Sequence, residues 1–383
     1  EHHHFVTEKD LDMLEYKEVP TPQIIHGDLN NYNMMIEFLK NNDLSDNYNY
    51  DYITSQIDID NFIDYQVMEI FCGNIDWPAN NNKFWRSKSD EGKWRWIIYD
   101  TDTGYGLWDD WWQDGTPGYN VNHVKHATND DDAYDNAWPN PAWSTYIFRN
   151  LLKNDSFKFK FLNRFSDLLN TRLTSENTFN EITKLHEKIA FSLSRHLLRW
   201  DMEQEEYYYE LNKLKDFVRF RPDKVMLHLR DYFDLSYQVN VSVNIEPSQS
   251  GVIKLNSLFL SDDHWTGEYF PDIPITLVPI EKPGYKFSHW EGGDGSLDKV
   301  ISSSPTPNKS LSAIFIPDSS GSIVINEINY SSFDIADSGD WFEIYNSSSK
   351  SIQLDNWYVT DASSESFYFP ENTRIESGGY LVV

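Results

Sequence analysis

The hydrophobic pattern of the chain changes its period near Leu235, and this change limits the folds that the sequence can adopt. Before this position apolar residues recur at helical spacing, as in the run from Phe157 to Leu169. From Tyr237 to Ile245 apolar and polar residues alternate, which is the pattern of a half-buried β-strand. We therefore predict a multidomain α+β protein, in which a mainly helical part precedes all-β modules.

The all-β part divides again at a short linker rich in Ser and Gly, at 318–322. Before the linker, Gly and Pro residues interrupt the sequence at short intervals, as they do between short strands. A further alternating pattern begins at Ile323. A chain of 383 residues is long enough for three domains, and we predict them at 1–236, 237–317 and 318–383.

Capping residues and periodicity predict the elements of the helical part. Asp28 can cap a helix that continues to about Lys40. Asp58 or Asp60 can cap a second helix with an apolar stripe from Phe62 to Phe71. This helix ends at Gly73 because a left-handed residue is needed there. The other predicted elements are an irregular segment at 1–27, a polar turn at 41–49, a strand pair at 84–87 and 94–99, and helices at 143–153, 156–171, 175–200, 203–219 and 222–233.

The charge of the chain excludes some classes of partner. It has 61 acidic and 32 basic residues, which gives a formal charge of −29. Because such a surface repels nucleic acids, we expect no nucleic-acid partner. No apolar run approaches the roughly 20 residues that span a bilayer, so we also expect no membrane span. Cys72 is the single cysteine, which rules out an intramolecular disulfide but leaves the cellular compartment open.

Four polar residues between positions 74 and 106 have the spacing of a phosphoryl-transfer site. Asp76 precedes Asn81 by five residues, and Asp100 and Asp102 follow a short apolar strand. Phosphoryl transfer needs a base for the acceptor hydroxyl and oxygen ligands for a cation, tasks that fall to an Asp and a following Asn in protein kinases. Carboxylate and amide oxygens suit Mg²⁺ or Mn²⁺.

The same residues have two other interpretations. In a chain rich in Asp and Asn, Asp76 could cap a turn, Asn81 could support a loop, and the acidic pair could begin a tight turn. Alternatively, Asp100, Asp102 and Gly104 could begin a calcium loop, although the bidentate Glu that completes such a loop is missing.

The segment from Leu107 to Pro141 is predicted to be a long loop, and it contains several tryptophans, among them Trp108 and Trp138. Loops of this length inside a domain are usually functional or disordered, and the aromatic content favours function. The alternative is a variable surface insertion.

Several stretches of the helical part resemble the CotH (spore-coat protein H) family of atypical kinases. They are Phe62–Tyr65, Asn74–Trp77, Asn81, Phe84–Arg86, Gly92–Trp96, the pair Asp100 and Asp102, Gly106, Leu151–Thr171, Arg195–Trp200 and Phe217–Arg230. Together they extend the resemblance over roughly residues 5 to 236.

The resemblance implies a kinase-like fold, ATP with Mg²⁺ or Mn²⁺ as cofactors, and Ser or Thr of secreted or coat proteins as the acceptor. It assigns Asp76 as the catalytic acid/base and Asn81 and Asp100 as cofactor-binding residues. Asn81, Asp100 and Asp102 would be the metal ligands. We expect the ATP-binding amino-terminal lobe to be missing from this chain. The alternative is a catalytically inactive surface scaffold or adhesin built on a kinase-like domain.

Residues 323–383 strongly resemble the lamin tail domain, an immunoglobulin-like sandwich. The resemblance rests on Asn326, Glu327 and the run Glu343–Asn346. We expect the last strands of this domain to be cut off. In bacteria such a domain implies a secreted or cell-surface protein with an adhesive or scaffolding role.

Residues 237–317 look like a divergent repeat module of bacterial surface proteins. Two of its aromatic residues, Trp265 and Trp290, either pack in the core or stack on carbohydrate. The two modules together leave contacts with the cell surface or with carbohydrate open, in addition to the protein substrate (a surface or coat protein) that the CotH resemblance implies.

Overall fold

The described chain folds as two units, of which the first is mainly helical and the second all-β. The computed structural model describes residues 7–89, 91–107, 115–131, 138–282, 284–292, 296–317, 323–330, 339–355, 357–360 and 366–383. One unit comprises residues 1–239 and 268–274, and the other comprises 240–267 and 275–383. This arrangement confirms the predicted α+β fold class.

Helix α3 is the centre of the first unit, and its apolar stripe is buried as predicted. Phe62, Ile63, Val67 and Ile70 are each 2% exposed or less, and aromatic residues of α5 and α6 pack against this face. The helices of the unit are α1 (Asn30–Asn41), α2 (Asn47–Gln56), α3 (Ile59–Cys72), α4 (His123–Ala127), α5 (Tyr146–Leu151), α6 (Asp155–Leu169), α7 (Ser175–Trp200) and α8 (Gln204–Phe233).

Both ends of α3 lie where the capping residues predict them. The Asp58 carboxylate accepts a hydrogen bond from the backbone N–H of Asn61, at 3.1 Å. At the other end Gly73 has φ +67, in the left-handed region that a residue with a side chain rarely adopts. A Cβ atom at Gly73 would also lie 3.1 Å from the ring of His123, so glycine is needed there for two reasons.

A four-stranded antiparallel sheet packs on these helices in the order β2-β1-β3-β4. The strands are β1 (Leu11–Tyr16), β2 (Gln23–His26), β3 (Asn82–Ser87) and β4 (Arg95–Ile97). The prediction of an irregular segment at 1–27 is therefore wrong for β1 and β2. The two prolines at 20 and 22 lie between these strands, where no ladder N–H is needed, and β1 pairs with β3, far away in the sequence.

The polar turn predicted at 41–49 is shorter than expected, because α2 begins inside it. The carboxylate of Asp46 accepts a hydrogen bond from the backbone N–H of Tyr48, at 2.8 Å, and so caps α2. In α1, Met35 is buried, whereas the neighbouring Met34 is 61% exposed.

The helical pair predicted at 203–219 and 222–233 is a single helix, α8, which continues through Pro222. A proline inside a helix removes one hydrogen bond and costs about 3 kcal/mol. On both sides of Pro222 the helix is held by buried residues, namely Val218, Arg221 and Val225, and this packing offsets the cost.

No helix in the described ranges is both long enough and apolar enough to cross a membrane.

A short segment from the all-β sequence, 268–274, belongs to the first unit. Phe270 and Ile273 lie in its hydrophobic core. The hydroxyl of Tyr269 donates to Asp167 at 2.8 Å, and both side chains are buried. The first unit is thus completed by residues that follow α8 in the sequence.

The second unit begins with two four-stranded sheets, β10-β12-β5-β8 and β11-β9-β6-β7. Trp290 on β10 is fully buried, so it packs in the core and is not open to carbohydrate. The strands are β5 (Val239–Glu246), β6 (Gly251–Leu255), β7 (Leu258–Leu260), β8 (His264–Tyr269), β9 (Ile275–Glu281), β10 (Tyr285–Glu291), β11 (Ile301–Ser303) and β12 (Lys309–Pro317).

The strands after residue 322 form smaller sheets around a small core. This core contains Ile344, Leu354, Phe369 and Ile375. The strands are β13 (Ile323–Asn329), β14 (Trp341–Asn346), β15 (Ile352–Gln353), β16 (Tyr358–Thr360), β17 (Ser366–Tyr368), β18 (Arg374–Ile375) and β19 (Tyr380–Val382), in the sheets β13-β14-β19, β15-β18 and β16-β17.

Candidate active site

The two loops that carry the candidate residues lie side by side at one end of strands β3 and β4. One loop joins α3 to the start of β3 and contains Asp76 and Asn81. The other follows the end of β4 and contains Asp100 and Asp102. Because β3 and β4 are antiparallel neighbours, the start of one strand lies beside the end of the other. We call these loops the asparagine loop (74–81), after Asn74, Asn80 and Asn81, and the acidic loop (99–107).

The carboxylate of Asp76 is held by three side-chain N–H donors. Its Oδ2 atom accepts from the amides of Asn80 at 2.7 Å and Asn81 at 2.9 Å. Its Oδ1 atom accepts from the indole N–H of Trp138. These donors fix the orientation of the half-buried carboxylate. A carboxylate that accepts a proton from a substrate hydroxyl needs such a fixed orientation.

Asn81 connects the two loops. Its Nδ2 atom donates to Asp76 and also to the backbone carbonyl of Asp100, at 3.1 Å. Asn81 and Asp100 both have φ near +50, a left-handed conformation that Asn and Asp tolerate better than most residues. Since the amide nitrogen of Asn81 is used in these bonds, its oxygen is the atom that would bind a cation.

Asp100 and Asp102 lie close enough to influence each other. Desolvation, the negative charge of Asp102 and a hydrogen bond with it raise the pKa of Asp100, and the charge of Asp76 acts in the same direction. A bound cation would relieve this repulsion, and the oxygen-only donor set fits Mg²⁺ or Mn²⁺.

Within the described ranges, no three or more His, Cys, Asp or Glu side chains converge on one point as a metal cluster. Asp76, Asp100 and Asp102 therefore do not form a closed site, nor does the described part of the acidic loop form a calcium cage. Mg²⁺ commonly uses one or two carboxylates together with phosphate oxygens and water, so an open pair of carboxylates is compatible with it.

Asn74 is a central residue that the sequence interpretation did not assign to a role. It is fully buried. Its Oδ1 atom accepts from the backbone N–H of Asp76 at 3.2 Å and from the hydroxyl of Thr103 at 2.6 Å. Its Nδ2 atom donates to the carboxyl of Glu69, at 3.1 Å. Asn74 thus connects α3, the asparagine loop and the acidic loop.

Glu69 is the second residue that sequence reasoning missed. It lies on the buried face of α3 and is 0% exposed. Burial raises its pKa to about 8, although the hydrogen bond from Asn74 opposes the shift, so the carboxyl is protonated at neutral pH. An acidic residue within an apolar helical stripe is the sequence signal that could have identified it.

The residue after Asp76 is anchored in the core. Trp77 is 1% exposed, and its indole N–H donates to the hydroxyl of Tyr65, at 2.8 Å. The carbonyl of Trp77 accepts from the Nε2 atom of His126, whose pKa is lowered to about 4 by burial. His126 is therefore neutral and can donate this hydrogen bond across a wide range of pH.

Arg221 holds the carboxyl end of α3. It is fully buried and donates to four backbone carbonyls, those of Phe71 at 2.9 Å, Ile70 at 2.6 Å, Tyr119 at 3.0 Å and Val121 at 2.8 Å. Burial lowers its pKa to about 10, so it remains charged at neutral pH. A cation is favourable there, since the last carbonyls of a helix carry partial negative charge.

Two lysines supply positive charge near the acidic loop. Lys17 and Lys83 lie 2.8 Å and 3.5 Å from the same oxygen of Glu15. This oxygen also accepts from the hydroxyl of Tyr99, the residue before Asp100. The pKa of Glu15 is raised by burial but lowered overall, because these partners outweigh the desolvation.

The tryptophan-rich loop contributes Trp138 to the site through its bond with Asp76. Within the same segment, α4 and a 3-10 turn at Gly118–Asn120 are ordered elements that the loop prediction did not include. Trp108, Trp111 and Trp112 lie outside the described residues.

Comparisons with known proteins assign the domains. The family model described as CotH kinase protein matches residues 7–225, and the Lamin Tail Domain model matches residues 317–383. No curated protein matches the chain.

Among solved structures, the chain is similar to a DUF4876 family protein from Bacteroides thetaiotaomicron, with 13% identity and a TM-score of 0.14. The match covers 38% of this chain and 48% of that chain, so about half of that protein is represented. At this TM-score the likeness supports no argument. The family-model match covers more than half of the 383 residues, and the chain belongs to the CotH kinase protein family, with a lamin tail domain after the kinase-family domain.

Proposed function

We propose that the protein is a CotH-type kinase that transfers the γ-phosphate of ATP to Ser or Thr of secreted or surface proteins. The observation that carries this proposal is the amide of Asn81, which bonds both to the carboxylate of Asp76 and to the backbone of Asp100. The Asn81 amide thus joins a candidate base to a candidate cation ligand at one end of strands β3 and β4. This is the pairing that phosphoryl transfer requires.

In this proposal Asp76 orients the acceptor hydroxyl and accepts its proton. Its three N–H donors hold the carboxylate in one orientation, so little reorganisation is needed during the reaction. Asp100, with Asp102 beside it and the amide oxygen of Asn81, would hold Mg²⁺ or Mn²⁺. The bound cation supplies positive charge that neutralises the phosphate oxygens.

The test is transfer of labelled phosphate from ATP to protein Ser or Thr, measured on the protein that contains this chain. Because general bases contribute roughly 10²- to 10⁴-fold, Asp76→Asn should lower the rate by at least 100-fold, and Asp100→Asn should also abolish most transfer. Asp51→Asn, on the exposed side of α2, is the control that should retain full activity. Full activity in both Asp76→Asn and Asp100→Asn would refute the assignment.

The second candidate is an inactive scaffold or adhesin at the cell surface. It is favoured by the open arrangement of the described carboxylates and by the lamin tail domain. Thermal unfolding with and without ATP and Mg²⁺ distinguishes the two candidates. A kinase is expected to unfold at a higher temperature when both are present, whereas an unchanged midpoint supports the scaffold. The spore-coat character of the family and the lamin tail domain support a secreted or surface location for either candidate.

A further inference from the structure

Lys17, Lys83 and Glu15 form a charged cluster beside the acidic loop, in which two cations share one carboxylate. The Nζ atoms of the two lysines lie 2.8 Å and 3.5 Å from the same oxygen of Glu15. The side chain of Glu15 is 7% exposed, whereas those of Lys17 and Lys83 are 42% and 27% exposed. We call these three residues the lysine cluster. Its carboxylate is covered, while its two cations reach the solvent.

The strand register places the lysine cluster on the face of the sheet that is turned away from the helices. Glu15 on β1 lies directly opposite Lys83 on β3, so both side chains are on the same face. Their neighbours Leu14 and Phe84 form the next pair, and both belong to the hydrophobic core of the first unit. Successive side chains of a strand alternate between its two faces. The lysines are therefore accessible to a ligand on the outer face of the sheet.

Tyr99 joins the lysine cluster to the acidic loop. Its hydroxyl donates to the oxygen of Glu15 that the lysines share, and the centre of its ring lies 4.2 Å from the Nζ atom of Lys83. The next residue along the chain is Asp100. Desolvation raises the pKa of Asp100, and the positive charge of Lys17 opposes this shift. Lys17 is thus near enough to influence the ionisation of a candidate cation ligand.

The lysine cluster has more positive charge and more hydrogen-bond donors than its carboxylate needs. The carboxyl of Glu15 is ionised at neutral pH, since its pKa is below the usual value. Two ammonium groups and one carboxylate leave a net positive charge, in a chain whose formal charge is −29. An ammonium group has three N–H donors, so the contact with Glu15 leaves donors of both lysines available. One lysine would neutralise a buried carboxylate, and the second is available to an anion.

Linked phosphate groups suit the combination of the lysine cluster and the acidic loop. Lysine is a common ligand of phosphate oxygens. Mg²⁺ is commonly bound by one or two carboxylates together with phosphate oxygens of the ligand. A polyphosphate can therefore contact the lysines through one set of oxygens and a cation on Asp100 through another. A single small anion cannot use both groups as well.

We propose that Lys17 and Lys83 bind phosphate oxygens of a nucleoside diphosphate or triphosphate, and that Glu15 positions both lysines. This inference rests on the proposed function, because the same phosphates would carry the cation held by Asp100. It adds two residues of the sheet region to the cofactor-binding residues assigned above, and it gives the buried carboxylate of Glu15 a positioning role.

The test is titration calorimetry with Mg²⁺ on the protein that contains this chain, without an acceptor protein. The probes are ADP, adenosine and tripolyphosphate. ADP should bind saturably, adenosine should bind at least 10-fold more weakly, and tripolyphosphate should bind more weakly than ADP. Equal binding of ADP and adenosine would overturn the proposal, because the phosphates would then contribute nothing. Tighter binding of tripolyphosphate than of ADP would overturn it in favour of a site for inorganic polyphosphate.

Two variants locate the phosphates. Lys17→Met and Lys83→Met each remove one charged donor, and each should weaken ADP binding at least 10-fold while adenosine binding is unchanged. Lys17→Arg and Lys83→Arg keep the positive charge and should bind ADP within about 3-fold of the wild type.

Lys88→Met is the matched control. Lys88 also pairs with a buried carboxylate, that of Asp12, at 3.6 Å, and its side chain is 40% exposed. It follows Lys83 by five residues, which is roughly 17 Å along an extended chain, so it lies away from the acidic loop. ADP affinity should be unchanged in this variant, and thermal unfolding without ligand should show similar midpoints for the three methionine variants.

The outcomes separate this inference from the proposed function. Unchanged ADP affinity in both Lys17→Met and Lys83→Met would overturn the role of the lysines and leave the proposed function in place. An equal loss of ADP affinity in Lys88→Met would assign the effect to a lost ion pair and would also overturn that role alone. No binding of ADP to the wild type would contradict both.

Discussion

The regions around Asn74 and Asn346 use the same type of residue for different purposes. Both side chains are fully buried. Asn346 donates to the backbone carbonyls of Lys350, Ile375 and Glu376 and accepts from the backbone N–H and hydroxyl of Ser348, so it holds a turn of the lamin tail domain closed. Asn74 instead bonds to Glu69 of α3 and to one residue of each candidate loop, Asp76 and Thr103. Asn346 thus closes one turn, whereas Asn74 joins three segments that include the candidate site, and the two regions therefore predict different consequences of mutation.

The largest effect is expected for Asn74→Ala, which removes the link between the two loops. A displacement of about 1 Å at a catalytic group costs on the order of 100-fold in rate, so phosphate transfer should fall by about that factor. The KM for ATP and the circular dichroism spectrum should change less. The transfer assay measures kcat and the KM for ATP separately for the variant and the wild type.

Asn74→Asp is the matched variant, and it should recover part of the activity. One oxygen of the new carboxylate can still accept from Asp76 and Thr103, and the protonated carboxyl of Glu69 can donate to the other. If Asn74→Ala and Asn74→Asp lose activity equally, or if both are fully active, Asn74 does not position the loops.

Glu69 predicts a pH dependence of stability for the region around Asn74. Its pKa is raised from 4.5 to about 8 in the folded protein. Between these values the folded state retains a proton that the unfolded state has lost, so stability falls as pH rises and the loss is complete above pH 8. The buried histidines His123, His126 and His228 act in the opposite direction near pH 6.5, because burial lowers the pKa of each in the folded protein. The contribution of Glu69 is therefore measured against a variant that keeps these histidines.

We expect the unfolding free energy of the wild type, relative to that of Glu69→Gln, to fall by up to about 1.4 kcal/mol per pH unit between the two pKa values of Glu69. Urea unfolding of the helical signal at several pH values measures both proteins. Glu69→Gln keeps the hydrogen bond with Asn74 and removes the titration at this position, while the histidines contribute to both proteins alike. A difference between the two proteins that does not change with pH would assign the dependence to another group.

Asn346→Ala is expected to destabilise the lamin tail domain by roughly 2–3 kcal/mol, because three carbonyls lose their donor. Phosphate transfer should be unchanged, in contrast to Asn74→Ala. Hydrogen exchange of residues 339–383 measures the local effect. The control is Asn326→Ala, since the Asn326 side chain is exposed and donates to Glu343 at 2.6 Å. This change should lower the free energy of unfolding by no more than about 0.5 kcal/mol. Loss of transfer in Asn346→Ala would contradict a purely structural role.

The smallest effect is expected for Trp138→Phe. This change removes one of three donors to Asp76 but keeps the aromatic ring, so transfer should fall about 3- to 10-fold. Trp357→Phe, at a half-exposed position of the lamin tail domain, is the control without effect. A Trp138→Phe variant as fast as wild type would favour the interpretation of the loop as a surface insertion.

Sequence signals that span only a few residues were sufficient to predict some elements of the fold. Asp58, the apolar stripe from Phe62 onwards and Gly73 predicted α3 with both of its ends, and the turn after β3 predicted the β3-β4 hairpin. These signals act through contacts that are local in the sequence. The resemblance predicted the kinase-family and lamin tail domains, which the family models confirm.

Elements that depend on distant partners could not be predicted in this way. Strand β1 is stabilised by pairing with β3, in which Leu14 lies opposite Phe84. Helix α8 continues through Pro222 because packing compensates for the lost hydrogen bond. The roles of Asn74 and Glu69 depend on contacts between α3 and the acidic loop. The roles of Asp76, Asn81, Asp100 and Asp102 stay predictions, although the hydrogen bonds of Asn81 bring the two loops together.

The four carbonyl bonds of Arg221 also determine the order in which the protein can mature during synthesis. Arg221 lies 150 residues beyond Phe71, one of the residues whose carbonyl it binds. At translation speeds of about 5–20 residues per second, the end of α3 waits roughly 8–30 s for this partner. A nascent chain that has already emerged with Asp76 therefore lacks the arginine that holds the end of α3 beside the asparagine loop. These four bonds can form only after most of the kinase-family domain has been made.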